Sequence, residues 1–504
     1  MPNRRAFLGS LIAIGATPLL AQPRFRDNPF ALGVASGYPH PGGFVLWTRL
    51  VGHFEPVAIP LRWEVAADES MRKVVASGTT EAHPDWAHSV HVEPRGLEPD
   101  RWYWYRFIAG DAASPVGRTR TAPAANAAVP RLRFAFASCQ HYEHGYFSAY
   151  RHMAADDLDL VVFLGDYIYE SSLRRNQVRM HDRSDEPVTL DEYRARYAQY
   201  KSDRDLQAAH HAYPWIVTWD DHEVDNDYAG DRQEDGTPAG EFLLRRAAAY
   251  QAYYEHMPLP ASMRPSGPAM QIYTSLGWGS LANFHLLDGR QYRSPHACPR
   301  KAGGGNEVDV RECTELGDAS RTMLGAAQEA WLERRFAASR ASWNIIAQAV
   351  LMAQRKNRSG DRQMIWTDSW DGYPAARKRL LESVVARKLA NPVVISGDAH
   401  MHFVADLKLD FDDERSPVVA SEFVGTSISS SPGSWQRNMP AIVAENPHFK
   451  YGNGERRGYV RASIAGGRLH ADLIGLDTVR KPESRAQVLA RFVVEDGKAG
   501  PKPA

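Results

Sequence analysis

The sequence predicts a layered α/β protein with a smaller all-β segment at its amino end. Three observations carry this. Between Asn28 and Thr121, short β-rich runs are separated by Pro, Gly and Asp clusters, the pattern of a sandwich. From Arg131 onward, apolar runs of strand length alternate with segments of helical periodicity, as layered α/β architecture demands. Four of those runs end abruptly in Cys, Asp, His or Asn, and the crevice beyond the carboxyl ends of such strands is where open α/β sheets bind ligands.

The first segment is MPNRRAFLGSLIAIGATPLLAQP, in which Arg4 and Arg5 precede an apolar run from Phe7 to Ala21. This is the three-part form of an export signal. The paired arginines with Phe7 and Leu8 resemble a twin-arginine signal, the route of proteins exported already folded. About 15 apolar residues interrupted by Pro18 fall short of the ~20 that span a bilayer. The expectation is a signal peptide over 1–22, the twin-arginine translocase as a partner during export, no stable membrane span, and a periplasmic or secreted protein.

Next, FVLWTRL, LRWEVAA, HSVHVEP and WYWYRFIAG predict the strands of a fibronectin- or Ig-like domain over 28–121. Leu97, Pro99 and Tyr103 have the spacing of a fibronectin-type corner, and TRTAPAANAAVP reads as the linker that follows. A second domain is expected over 131–475. In it LRFAFASCQ, VVFLGDYIYE, WIVTWDDHEVDNDY and NPVVISGDAHMH predict strands. Thr189–Tyr200 opens with Thr189 and Glu192 at capping-box spacing and sets Tyr193, Tyr197 and Tyr200 on one face, a stripe for core packing. Glu241–His256, Gly325–Ser339 and Ala375–Leu389 predict further helices. LHADLIGL and ARFVVEDG read as strands around a polar stretch, so residues 476–504 either complete the sheet or cover the site.

Sixty basic residues balance sixty acidic ones, which leaves no net field to attract nucleic acid or an anionic membrane, and no specific nucleic-acid binding is expected. Of three cysteines, Cys298 and Cys313 bracket a Gly- and charge-rich loop that a disulfide would close in an oxidising compartment. Cys139 then stands alone at a strand end, either a small buried hydrophobe or a thiolate held by a metal.

Asp166 and Tyr169 leave the same strand end. A carboxylate can lend one oxygen to each of two cations and a phenolate suits a trivalent one, so the spacing predicts a two-metal centre. Cys139, with phenolate, favours Fe(III) over Mg²⁺ or Ca²⁺ in its half-site. The other half is expected to be harder and oxygen-rich, drawn from Asp221, Asn226, Asp371 and Asp398. His400 and His402, two apart, point the same way if their strand continues.

In the order FASCQ, GDYIYE, WDDHEVDNDY and SGDAHMH, preceded by FALGVASGYPHPGGFVLWTRL and followed by EFVGTSISSS, the sequence resembles the PhoD family of exported alkaline phosphatases and phosphodiesterases. The resemblance spans essentially the whole mature chain. It implies a calcineurin-like metallophosphoesterase domain, a central β-sandwich flanked by helices, and a site containing Fe3+ and Ca2+. Carried over residue by residue, Cys139 and Tyr169 hold iron, Asp166 bridges, and Asn226, Asp371, Asp398 and His400 supply further metal contacts. Asp220-Asp221-His222-Glu223 stands where broader metallophosphoesterases have Gly-Asn-His-Glu, so either Asp221 or Asn226 does that asparagine's work. The substrate implied is a small-molecule, lipid or polymer phosphoester, attacked in line by a hydroxide held between the metals without a covalent intermediate. His222 would orient substrate or protonate the leaving group, and Arg290 in DGRQYR would clamp a phosphate oxygen.

Two other readings are distinct. A serine-nucleophile phosphatase using Ser138 or the SISSS run lacks the nucleophile-elbow pattern and leaves Tyr169 without a role. A non-enzymatic extracellular binding module accounts for the amino-terminal segment and not for the ligand clusters.

Overall fold

The computed structural model describes residues 24–173, 175–301, 303–433 and 438–504, the side chains of 358 and 359 excepted. The export signal expected over 1–22 lies outside them. Three apolar segments, Arg131–Ala137, Leu160–Leu164 and Pro214–Thr218, lie side by side in parallel. All of Leu160–Leu164 is buried, because a strand covered on both faces reads as a continuous apolar run. On one side this sheet continues antiparallel through Gly458–Ala465, Arg468–Leu476, Ala486–Glu495 and Lys498–Pro503. On the other it continues through Val34–His40, Gly43–Arg49 and Ser89–Val92, ten strands in all.

A seven-stranded sheet faces it, with Ala282–Leu286, Trp343–Ala347, Pro392–Ser396 and Val418–Val424 parallel at its centre. The inner faces share one core, in which Phe134 meets Phe284 edge-on at 5.3 Å and Phe136, Val162, Ile345 and Ile395 are fully buried or nearly so. Helices Leu190–Lys201 and Ala239–His256 pack the outer face of the first sheet through Tyr193, Tyr197, Tyr250 and Tyr253. Gly325–Ala338 and Pro374–Ala386 cover the second with Leu332, Phe336, Leu381 and Val384. This is the sandwich flanked by helices that the sequence predicts. The Thr189 backbone N–H donates to the Glu192 carboxylate at 2.9 Å, which sets the start of its helix where the capping spacing places it. Cys298 and Cys313 form a disulfide and Cys139 is free and buried.

The amino-terminal segment differs from an autonomous sandwich. Ile59–Ala66, Val74–Ala82, Trp102–Ala109 and Ala112–Ala113 form a sheet of their own, joined by Gly117–Arg120, but Val34–His40 pairs in parallel with Pro214–Thr218 of the large sheet. Gly37 permits that approach, since a Cβ there would lie 2.6 Å from the Trp215 carbonyl and 2.7 Å from that of Pro258. One layer of the small sandwich is therefore the edge of the large one, and Phe44, Leu46 and Val90 pack against Leu61, Val65, Tyr105 and Phe107 across it. The tyrosine corner is present, with Glu98 N donating to the Tyr103 hydroxyl at 3.0 Å.

At the other end, the boundary expected at 475/476 falls inside an antiparallel pair, Arg468–Leu476 with Ala486–Glu495. The segment after 475 completes the sheet, while the loop between those strands borders the site: the Val479 carbonyl accepts from Tyr146 N at 2.7 Å, and Leu476 through Arg480 line a cavity.

Candidate metal centre

Four parallel strands stop at one place, three from the first sheet and one from the second. Their next residues are Cys139, Asp166, Asp220 with Asp221, and Asp398 with His400. Each strand end turns sharply. Cys139, Asp166, Asp398 and His400 have φ of 61°, 59°, 57° and 55°, the left-handed region that costs a non-glycine residue energy and gathers at functional sites. Gly165 makes the tightest of these turns: its φ is +105°, and a Cβ would lie 2.5 Å from Asp220 N. Buried Glu223 ties two of the ends together, accepting from the backbone N–H of Asp166 (3.1 Å), Asp220 (2.8 Å) and Tyr167.

Asp166 is shared by three groups of possible metal ligands whose donor atoms lie within 4.8 Å of one another: Cys139 with His400, Asp221 with His222, and Asp220 with Asp398. A fourth group is Asp221, Asp227 and Asp368. The Tyr169 hydroxyl donates to Asp166 Oδ2 at 2.7 Å and stands 3.0 Å from His400 Nε2. His400 Nδ1 faces the Ser431 carbonyl at 2.7 Å, so its proton sits there and Nε2 presents a lone pair to the cluster. Burial pushes the His400 pKa down to about 3, which keeps that ring neutral.

The acids are crowded and incompletely satisfied. Asp166 Oδ1, Asp220 Oδ2 and Asp221 Oδ1 are buried without a hydrogen-bond partner. Burial, then the neighbouring Asp221 and Asp368, pushes Asp398 up to about 8. Burial also raises Asp166 well above the carboxylate range, opposed by His222 and reinforced by Asp221 and Asp220. Carboxylates so placed repel one another and gain from a multivalent cation between them, so these residues fit metal ions. Cys139 and His400 share one of these ligand groups with Asp166, and Asp220 and Asp398 another.

The structure thus brings together Cys139, Asp166, Tyr169, Asp221, His222, Asp398 and His400. His222 Nδ1 bonds Glu170 at 2.7 Å, and its ring lies 4.1 Å from that of Tyr169. Burial would lower its pKa, but the carboxylates of Glu170, Asp221 and Asp166 outweigh this and hold it well above the usual histidine range.

Three expectations, for Arg290, Asp371 and His402, are corrected. Arg290 is no phosphate clamp: it is fully buried, with Nε on Asp220 and its two terminal nitrogens on Asp368 at 2.7 and 2.8 Å, leaving no free edge. Asp371 pairs with Arg377 at 2.6 Å and accepts from Arg355 N, and the aspartate of that motif that reaches the centre is Asp368. Asn226 donates its side-chain nitrogen to Glu234 at 2.8 Å and its backbone N–H to Glu170, bonds that leave its amide oxygen able to ligate a cation, while Asp221 stands among the clustered carboxylates with Asp220 and Asp227. His402 is turned away, because the strand His402–Lys408 starts only there; its Nδ1 accepts from Thr426 N.

Sequence reasoning missed Glu170, Asp220, Glu223, Asp227 and Asp368, whose signal was present as acidic residues inside the same dense motifs. It also took Tyr200 for core alone, whereas its hydroxyl accepts from Tyr169 N at 3.1 Å and fixes that residue. The serine run docks its loop: Ser427 and Ser429 donate to the carbonyls of Ser430 and His141, and the Ser430 hydroxyl lies 2.9 Å from both the Cys139 carbonyl and the Tyr169 hydroxyl.

The chain as a whole is similar to known proteins. The profile of PhoD-like phosphatases matches residues 134–473, and that of their N-terminal domain matches residues 15–123. Alkaline phosphatase D of Bacillus subtilis is 45% identical over 508 residues, covering 98% of this chain and 86% of the relative. A solved structure described as that of PhoD superposes with a TM-score of 0.90 at 45% identity, covering 96% of this chain and 93% of the other.

Proposed function

The chain belongs to the PhoD-like phosphatase family and is an enzyme of phosphate-ester hydrolysis, and we propose that the reaction runs at the cluster centred on Asp166. The observation that carries this is the set of buried carboxylate oxygens without hydrogen-bond partners on Asp166, Asp220 and Asp221, within reach of a thiol, a phenol and an imidazole. Cys139, Tyr169 and His400 with Asp166 would hold Fe3+, since thiolate and phenolate together suit that ion. Asp220, Asp221 and Asp398, all-oxygen donors, would hold Ca2+ with Asp166 as the shared carboxylate. Such cations, when bound, lower the pKa of water and neutralise charge on a phosphoryl group.

The chain's own residues supply the rest. Glu170 holds His222 by Nδ1 and keeps it protonated, so Nε2 is the proton donor for the departing alkoxide. Arg290 fixes the Asp220 and Asp368 carboxylates in place, and Glu223 fixes the backbone that carries Asp166 and Asp220. The serine loop from Ser427 to Ser431 seats Tyr169 and His400.

The experiment is Asp166→Asn, assayed on a phosphomonoester and a phosphodiester beside iron and calcium analysis and a thermal melt. The wild-type protein is expected to contain both metals and to be coloured by tyrosinate-to-iron charge transfer. The variant should keep its fold, lose bound metal, and fall by orders of magnitude in kcat. Retained activity with normal metal content, or a phosphoserine trapped at Ser138, overturns the reading.

Export to the periplasm or medium through the twin-arginine route is part of the same proposal, supported by Arg4 and Arg5 and by the Cys298–Cys313 disulfide, which persists in oxidising compartments. Replacing both arginines by lysine should hold the protein in the cytoplasm. Undiminished export would refute the route.

A further inference from the structure

Arg290 and Arg293 are paired with Asp368 at the centre, and Arg457 borders it from another side with no carboxylate partner among the described residues. Arg457 is 8% exposed and lines a cavity of about 650 Å³ together with His144, Ser429, Ser431, Thr478 and Arg480. Its bonds go to carbonyls alone: one terminal nitrogen donates to Ser430 at 3.3 Å and the other to Gly454 at 2.6 Å. Nε is buried with no hydrogen-bond partner.

The cavity and the cluster adjoin through a single stretch of backbone. Ser431 N donates to His144 Nδ1 at 3.3 Å, and the Ser431 carbonyl meets His400 Nδ1 at 2.7 Å. Ser430, whose carbonyl takes the Arg457 bond, sets its hydroxyl 2.9 Å from that of Tyr169. Burying a guanidinium without a carboxylate is costly, and an anion arriving through the cavity would remove that cost by filling the fork. Burial already lowers its pKa, to about 10, which leaves it charged at neutral pH.

We propose that Arg457 is a catalytic residue that binds the phosphoryl oxygens of the substrate and of the product phosphate, received through the cavity between His144 and Arg480. This rests on the reading of the Asp166 cluster as the reaction centre. A guanidinium at that position offers planar, paired donors to a tetrahedral anion, which a lysine ammonium does not.

The test uses the metal-loaded enzyme and inorganic phosphate as probe, measured by calorimetry beside kinetics. Arg457→Gln should weaken phosphate binding and raise KM by roughly 10- to 100-fold, the loss of one charge-assisted hydrogen bond, with iron, calcium and melting temperature unchanged. Arg457→Lys should recover part of the loss. Unchanged phosphate affinity in a glutamine variant of normal metal content overturns the proposal while leaving the phosphoesterase centre standing. Should the glutamine variant fail to fold, a phosphate-soaked crystal of the wild type decides: a phosphate oxygen on the Arg457 guanidinium supports the assignment, and a phosphate bound elsewhere refutes it. A wild-type protein that neither binds phosphate nor hydrolyses esters overturns both readings.

Discussion

At the scale of single residues, two side chains that look alike on paper as phosphate contacts have opposite positions. His222 is held by Glu170 with its second nitrogen toward the carboxylates, whereas Arg290 is sealed among Asp220, Asp221 and Asp368. His222→Gln should therefore slow hydrolysis of an alkyl phosphate by about 10²- to 10⁴-fold and that of p-nitrophenyl phosphate far less, because nitrophenolate leaves without a proton. Since the imidazole's proton affinity is raised, the wild type should keep its alkyl-phosphate activity well above pH 6.5 and lose it as pH rises through the shifted value. Equal loss on both esters would deny it the acid role. Arg290→Met, by contrast, leaves buried carboxylates facing one another and should cost about 3–5 kcal/mol in urea unfolding. A rise in KM with unchanged stability would instead mark it as a substrate contact. The sequence made His222 and the strand-end ligands legible because their motifs are local. It left Arg290 and Asp371 misplaced because their partners, Asp368 and Arg377, are brought to them only by the fold.

At the scale of elements, the strands were readable from their burial on both faces and the helices from their aromatic stripes and caps, while sheet membership was not. Nothing in the alternation of Val34–His40 says that its neighbour is Pro214–Thr218, since parallel pairing leaves no turn signal between the partners. The disulfide loop shows the same coupling at closer range. Cys298 and Cys313, 15 residues apart, close a segment in which Gly305 N donates to Asp227 at 2.9 Å, and Asp227 belongs to the group with Asp221 and Asp368. Cys298→Ser should cost up to about 3 kcal/mol on the chain-entropy estimate for such a loop. It should also weaken calcium retention, read as a lower chelator concentration for half-inactivation. A variant with lower melting temperature and unaltered chelator sensitivity would separate the loop from the centre.

At the scale of the whole molecule, the amino-terminal strands, three of the four strands that end at the ligand cluster and the carboxyl-terminal strands share one ten-stranded sheet. Deleting residues 24–126 should therefore yield no folded catalytic domain, because the edge of Pro214–Thr218 and the face against Phe44 and Leu46 would be laid open. A soluble deletion protein with a cooperative melt and bound metal would contradict this. The order of the sheet has a further consequence for how the protein is made. Arg131–Ala137, which delivers Cys139, is bounded on one side by Gly458–Ala465, a strand supplied from near the other end of the polypeptide. A nascent chain on the ribosome holds that edge unpaired until residues 458–465 have cleared the exit tunnel, however early its neighbours formed. Completion of the sheet that carries the ligand cluster thus waits on a long-range contact and is expected to be slow, and a chain stopped before residue 458 should yield no folded enzyme.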